Sequence, residues 1–252
     1  MCNKTKKNCI FIIILINIFI ISFVSASQTY ANGYEITDLN SFKNELNRLV
    51  SENENLEADD KQIKQLTSIT SPQIIEKFLD EKMIAVQKYL ENNNSNALKR
   101  NQIIDLGDYC TLQVDNSNIE LTSTPGAQTI WKDYGARRYT CTFKGEFRVA
   151  SFSLSLCNHY TLSAKGITPR YWEAWGDGAG FLNVTHGNIN KPKQNAKKGE
   201  TVSSNCIFKV KANIGPATGE QSIRMNNFVK CSDIDTIEKQ VKVVESWRGD
   251  YL

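Results

Sequence analysis

The chain has 252 residues, 40% of them hydrophobic, with 30 Lys+Arg against 27 Asp+Glu and two histidines. That length suffices for one good core plus an appendage. The surplus of three positive charges sits in Lys4, Lys6 and Lys7. The remainder is balanced, which excludes a general attraction to nucleic acid or to an acidic membrane.

The N-terminus is basic, and Ile10 to Val24 is apolar apart from Asn17 and Ser22. Small residues follow at Val24-Ser25-Ala26 and Thr29-Tyr30-Ala31. This pattern predicts a signal peptide over residues 1–31, cleaved after Ala26 or Ala31. The apolar run of 15 residues is shorter than the roughly 20 a spanning helix uses. A membrane enters only through an uncleaved signal segment. Cys2 and Cys9 precede the apolar run, so no lipid anchor is implied. The expected product is secreted or surface-associated.

Residues 32–100 carry helical periodicity. Thr37 or Asp38 caps a stripe of Leu39, Phe42, Leu46, Leu49 and Val50. Asp59 with Gln62 starts a short helix, and Ser71-Pro72 opens another with Ile74, Ile75, Phe78, Leu79, Val86, Tyr89 and Leu90. Together they predict a helical hairpin or small bundle, ended by the asparagine run at 92–96. Residues 101–252 change to strand character. Strands are predicted at Arg137–Phe143, Phe147–Leu156, Tyr160–Ala164, Phe181–Thr185, Cys206–Ala212, Ser222–Lys230 and Ile237–Trp247, the last with Ile237, Val241, Val243 and Trp247 on one face. Turns fall at Lys144-Gly145, Gly166, Gly215-Pro216 and Gly219, and the change of apolar phase near Ala150 predicts a bulge or bend. The fold class is α+β: a helical segment followed by an antiparallel β-sandwich or barrel-like domain, the two separable by proteolysis at the asparagine run.

Five cysteines follow the signal segment: Cys110, Cys141, Cys157, Cys206 and Cys231. Outside the cytoplasm they are expected to pair, with one left over. A hairpin centred between Thr218 and Gly219 sets Cys206 opposite Cys231, which predicts a disulfide there. Pairing among the other three stays open.

Cys157-x-His159 puts a thiol and an imidazole on one face of a strand. No hydrolase signature flanks them, and no zinc-ligand spacing, phosphate loop or dinucleotide fingerprint occurs, so no catalytic residue, metal or cofactor is expected. Tyr171-Trp172-Glu173-Ala174-Trp175-Gly176-Asp177 gathers three aromatics and two acids. On an exposed loop, Tyr171, Trp172 and Trp175 could stack on sugar faces or enter a partner, with Glu173 and Asp177 fixing orientation. The alternative sets the tryptophans over the core with the glycines in a tight turn. Asn183-Val184-Thr185 matches the glycan-acceptor pattern. The expected function is a non-enzymatic binding module for an extracellular glycan or protein. A secreted hydrolase lacking a recognisable motif and a toxin-like, membrane-active protein are the rivals.

Overall fold

The computed structural model of the chain describes residues 35–52, 60–92, 102–116, 128–190, 195–214 and 219–252. The predicted signal segment at 1–31, most of the asparagine-rich run (93–96) and residues 215–218, where part of the hairpin turn is expected, lie outside the described residues. Helix α1 (Leu39–Ser51) opens at Asp38, whose carboxylate accepts from the Ser41 amide at 2.9 Å and so satisfies one of the first-turn donors. Its stripe of Phe42, Leu46, Leu49 and Val50 is buried, as its spacing predicts. Helix α2 (Asp60–Ser68) is short, and α3 (Pro72–Asn92) begins on a proline that has no amide hydrogen to leave unpaired. Phe42 and Phe78 meet edge-on with ring centroids 5.3 Å apart, pinning α1 to α3.

Ten strands follow among the described residues: β1 (Gln102–Asp105), β2 (Thr111–Asn116), β3 (Gln128–Asp133), β4 (Gly135–Glu146), β5 (Ala150–Ser163), β6 (Gly166–Gly180), β7 (Leu182–His186), β8 (Thr201–Ala212), β9 (Glu220–Asp235) and β10 (Gln240–Tyr251). They form two five-stranded antiparallel sheets, ordered β1-β2-β4-β5-β6 and β3-β10-β9-β8-β7. The class is therefore α+β with a sheet-rich region, as expected from the sequence. The chain passes from one sheet to the other between β2 and β3, at Tyr134 and again at Phe181.

One apolar cluster joins Phe42 and Phe78 of the helices to Phe143, Phe208 and Trp247 of both sheets. A second holds Tyr139, Tyr160, Val229 and Val241. Asn158, Ser204 and Asn227 separate the two, each sitting between one member of each cluster along β5, β8 and β9. Ser204 donates to Asn158, and Asn227 Nδ2 donates to the Leu156 carbonyl at 2.6 Å, so this polar layer also links the sheets.

Several expectations change. The Cys206–Cys231 bridge is not formed, and all five cysteines among the described residues are free. The β8–β9 register pairs Lys211 with Glu220 and Cys206 with Met225, while Cys231 faces Val243 on β10. This register is centred three residues earlier than the expected reversal between Thr218 and Gly219. The turn expected at Lys144-Gly145 lies inside β4, with Gly145 opposite Phe152. The reversal is at 147–149, where Phe147 N donates to Ala150 O at 2.8 Å and Arg148 takes a left-handed φ of 65°. The change of apolar phase near Ala150 is that turn and not a bulge. Tyr160 to Ser163 continues β5, and Ile237 is 87% exposed in the β9–β10 turn.

Two charged side chains among the described residues occupy the interior. Lys82 on α3 is 2% exposed, and Glu245 on β10 is 4% exposed at a position in phase with Val241, Val243 and Trp247. Lys82 Nζ donates to the carbonyls of Leu106 and Gly107, both at 3.1 Å, and to Asp108 Oδ2 at 2.7 Å, which fastens α3 to the β1–β2 turn. No helix among the described residues is long and apolar enough to cross a membrane.

Candidate functional site

Residues 171–180 are strand and not loop. They form most of β6, an edge strand of its sheet, paired along its length with β5. Alternation then sorts the segment. Tyr171, Glu173, Trp175 and Asp177 project outward, with Tyr171 51% and Trp175 46% exposed. Trp172 projects inward opposite Asn158 and is half-buried, its indole Nε1 enclosed. Gly180 takes a left-handed φ of 65° at the β6–β7 turn, but Gly176 and Gly178 serve no turn. A Cβ at Gly176 would lie 2.3 Å from Val184 Cγ1, and one at Gly178 would lie 2.5 Å from the Leu182 carbonyl. Only glycine lets β7 cross the inner face of β6 this closely.

The register places Ser153 opposite Asp177, Ser155 opposite Trp175, Cys157 opposite Glu173 and His159 opposite Tyr171. Thr140 and Thr142 on β4 lie beyond Cys157 and Ser155. The outward face of β4–β5–β6 is thus a floor of hydroxyls and one thiol under two aromatic rings. Its middle is buried although it points away from the core: Thr140 is 7%, Ser155 1% and Cys157 2% exposed. Thr142 and Ser155 share a hydrogen bond of 2.9 Å.

At one end of this floor three unlike groups converge. Cys157 Sγ lies 3.3 Å from His159 Nε2, and the same nitrogen lies 2.8 Å from Glu173 Oε2. Thr140 Oγ1 donates to the sulfur at 3.1 Å, and the imidazole stacks on Tyr171 with centroids 4.0 Å apart and planes 13° from parallel. Burial pushes the Cys157 thiol up from its ordinary range; the Thr140 hydrogen bond opposes this, the Glu173 charge adds to it and the Arg138 charge opposes it. A nucleophilic cysteine requires the reverse shift. It also requires a histidine that contacts thiol and carboxylate through different ring nitrogens. Here one nitrogen faces both, so the geometry is not that of a hydrolytic relay. The three donor atoms lie within 4.8 Å of one another, close enough to hold one metal ion.

Sequence reading anticipated the Cys157–His159 pair and the aromatic–acidic segment separately, but not their meeting. The signal that joins them is the alternation Tyr171-x-Glu173-x-Trp175-x-Asp177, which is strand-like. Around the inward Trp172 a groove is lined by Arg170, Tyr171, His186, Gly187 and Ile189. Asn183 and Thr185 are exposed on the edge strand β7, flanking the buried Val184. Comparison of the chain with protein-family models, with curated proteins and with solved structures finds no match.

Proposed function

We propose that the chain is a secreted or surface-held, non-enzymatic binding protein, in which the two sheets close as a β-sandwich and the outward face of β4–β5–β6 takes an extracellular glycan. One observation carries the reading: Tyr171 and Trp175 stand exposed on the same strand face, with Glu173 between them and Asp177 just beyond. Four residues of strand set the two rings roughly 13 Å apart. Flat aromatic faces suit the apolar faces of sugar rings, and carboxylates and hydroxyls suit their hydroxyl groups. The surrounding hydroxyl floor makes the face polar, which favours a glycan over an apolar protein anchor. Export rests on the basic-apolar-small pattern of residues 1–31. Protein recovered from the medium is expected to begin at Ser27 or Asn32, as read by N-terminal sequencing; an intact Met1 in a membrane fraction would point to an anchor.

The two tryptophans test the site. Trp175→Ala is expected to change stability by less than about 0.5 kcal/mol, as for an exposed residue. Trp172→Ala is expected to cost about 2–3 kcal/mol, below the value for a fully buried tryptophan. On a panel of immobilised polysaccharides, Trp175→Ala and Tyr171→Ala should each weaken retention at unchanged melting temperature. Retention that survives both changes would remove this face as the binding surface.

A further inference from the structure

We infer that Cys157, His159 and Glu173 form a binding site for a zinc-class divalent transition metal, with the fourth position open to solvent. The inference rests on the convergence of the three donors and stands independently of the glycan reading. Cys157 and His159 are two residues apart on β5 and share a face, while Glu173 is the register partner of Cys157 on β6. Two hydrogen-bonded strands therefore fix all three positions, and no loop has to order itself to complete the set.

The distances suit an ion. Zinc–sulfur and zinc–nitrogen bonds of about 2.3 and 2.0 Å at a tetrahedral angle set sulfur and nitrogen roughly 3.5 Å apart. The observed Sγ–Nε2 separation is 3.3 Å. The 2.8 Å between Nε2 and Glu173 Oε2 must open by about half an ångström to meet the same geometry. Glu173 can supply that movement, because its side chain is 54% exposed. Hydrogen bonding alone accounts poorly for the arrangement. A neutral imidazole nitrogen either donates through its one hydrogen or accepts through its one lone pair, so Nε2 serves the carboxylate or the thiol but not both. An ion at the point where the three donors converge serves all of them.

The donor set selects the class of metal. Thiolate and imidazole favour zinc and its neighbours, whereas calcium and magnesium demand oxygen donors. On binding, the Cys157 S–H bond breaks, the proton goes to solvent and the sulfur's electron pair forms the bond to the metal. Thiolate and the Glu173 carboxylate then balance the two positive charges. Support around the ligands is already present: Thr140 donates to the sulfur, and Tyr171 holds the imidazole plane by stacking.

The test uses the reduced, metal-stripped chain titrated with Co²⁺ as a spectroscopic stand-in, followed by Zn²⁺. The expected result is one equivalent of Co²⁺ with tetrahedral absorption and a thiolate-to-cobalt charge-transfer band, both erased by one equivalent of Zn²⁺. Cys157→Ser should abolish the charge-transfer band. His159→Gln and Glu173→Gln should each weaken Co²⁺ binding by on the order of 100-fold, and Thr140→Val by about 10-fold. His159→Gln covers the possibility that a change at buried Cys157 unfolds the chain, since His159 is only half-buried. Cys206→Ser and Trp175→Ala should bind Co²⁺ like the parent, and retention of metal by Trp175→Ala distinguishes metal binding from glycan binding on a face where the two share Glu173 and Tyr171. A charge-transfer band that persists in Cys157→Ser, an octahedral spectrum, or no stoichiometric binding at micromolar Co²⁺ would each overturn the assignment.

Discussion

Glu245→Ala is expected to lower the free energy of unfolding by about 3–5 kcal/mol, the usual cost of removing one partner from a buried ion pair. In a chain of this size that corresponds to a fall in melting temperature on the order of 10 °C. Both Glu245 oxygens lie 2.9 Å from Lys132 Nζ on the neighbouring β3, and one also accepts from the Tyr160 hydroxyl on β5 of the opposite sheet. The lysine side chain is 13% and the glutamate side chain 2% exposed. Without the carboxylate, a nearly buried ammonium and a buried hydroxyl lose their acceptor together. Burial pushes the Tyr160 phenol well above its ordinary range, and the Glu245 charge and hydrogen bond push the same way, so the hydroxyl keeps its proton and keeps donating.

The cost of Glu245→Ala has two sources, which a second variant separates. In Lys132→Met/Glu245→Leu both charges are replaced by apolar groups of similar length. That variant is expected to recover most of the lost stability, because desolvating an ion pair offsets much of its attraction. Urea unfolding of the single and double variants provides the measurement. A loss below about 1 kcal/mol for Glu245→Ala would show the pair to be solvated.

Lys82→Met is expected to cost about 3 kcal/mol and to remove an acid sensitivity expected of the parent protein. The methionine keeps the packing of the aliphatic stem, so the change isolates the ammonium. Lys82 Nζ sits 5.4 Å from the centre of the Phe78 ring and binds a β1–β2 turn in which Gly107, Asp108 and Tyr109 all have left-handed φ, at 77°, 53° and 55°. Two of those residues are not glycine, so the turn is strained and depends on its contacts. Arg148 Nε donates to the Tyr109 carbonyl at 2.8 Å, and Asn47 Nδ2 donates to Asp108 Oδ1 at 3.2 Å. The lysine, with three acceptors, is the largest of these supports.

The pH dependence follows from Asp108. Burial pushes its carboxyl up, but the hydrogen bonds from Lys82 and Asn47 and the charges of Lys82 and Lys43 outweigh burial and hold it below the ordinary aspartate value of 3.8. A carboxyl depressed by folding adds stability that is fully present above its unfolded value and is lost as pH falls through its folded value. The parent should therefore lose stability through this group as pH falls below the ordinary aspartate value of 3.8. Lys82→Met and Asp108→Asn should each flatten that part of the profile, as read from urea midpoints. Equal acid slopes in parent and Asp108→Asn would assign the loss to other carboxylates.

What the sequence determined by itself is whatever depends on near neighbours along the chain. The stripes of α1 and α3 were legible because helical period and caps are local: Asp38 with Ser41, Ser71 with Pro72, and apolar residues every three or four positions. The strand character of β4, β5, β8, β9 and β10 was legible for the same reason. The tertiary structure decided everything that needs a partner from elsewhere. Strand β6 escaped detection because Gly176 and Gly178 read as a turn, while their smallness answers to the approach of β7, some six residues onward in the chain but across the inner face in space. The Cys206–Cys231 pairing failed because no residue in the turn reports where a hairpin reverses; the interstrand pairing of Lys211 with Glu220 does. Nothing in the sequence marks Lys82 and Glu245 as interior, since residue type cannot show that a turn's carbonyls or an opposing tyrosine stand ready to receive them. The meeting of Cys157, His159 and Glu173 depended on the β5–β6 register, including its irregularity between His159 and Tyr160, and register is set by which side chains find burial when two sheets close.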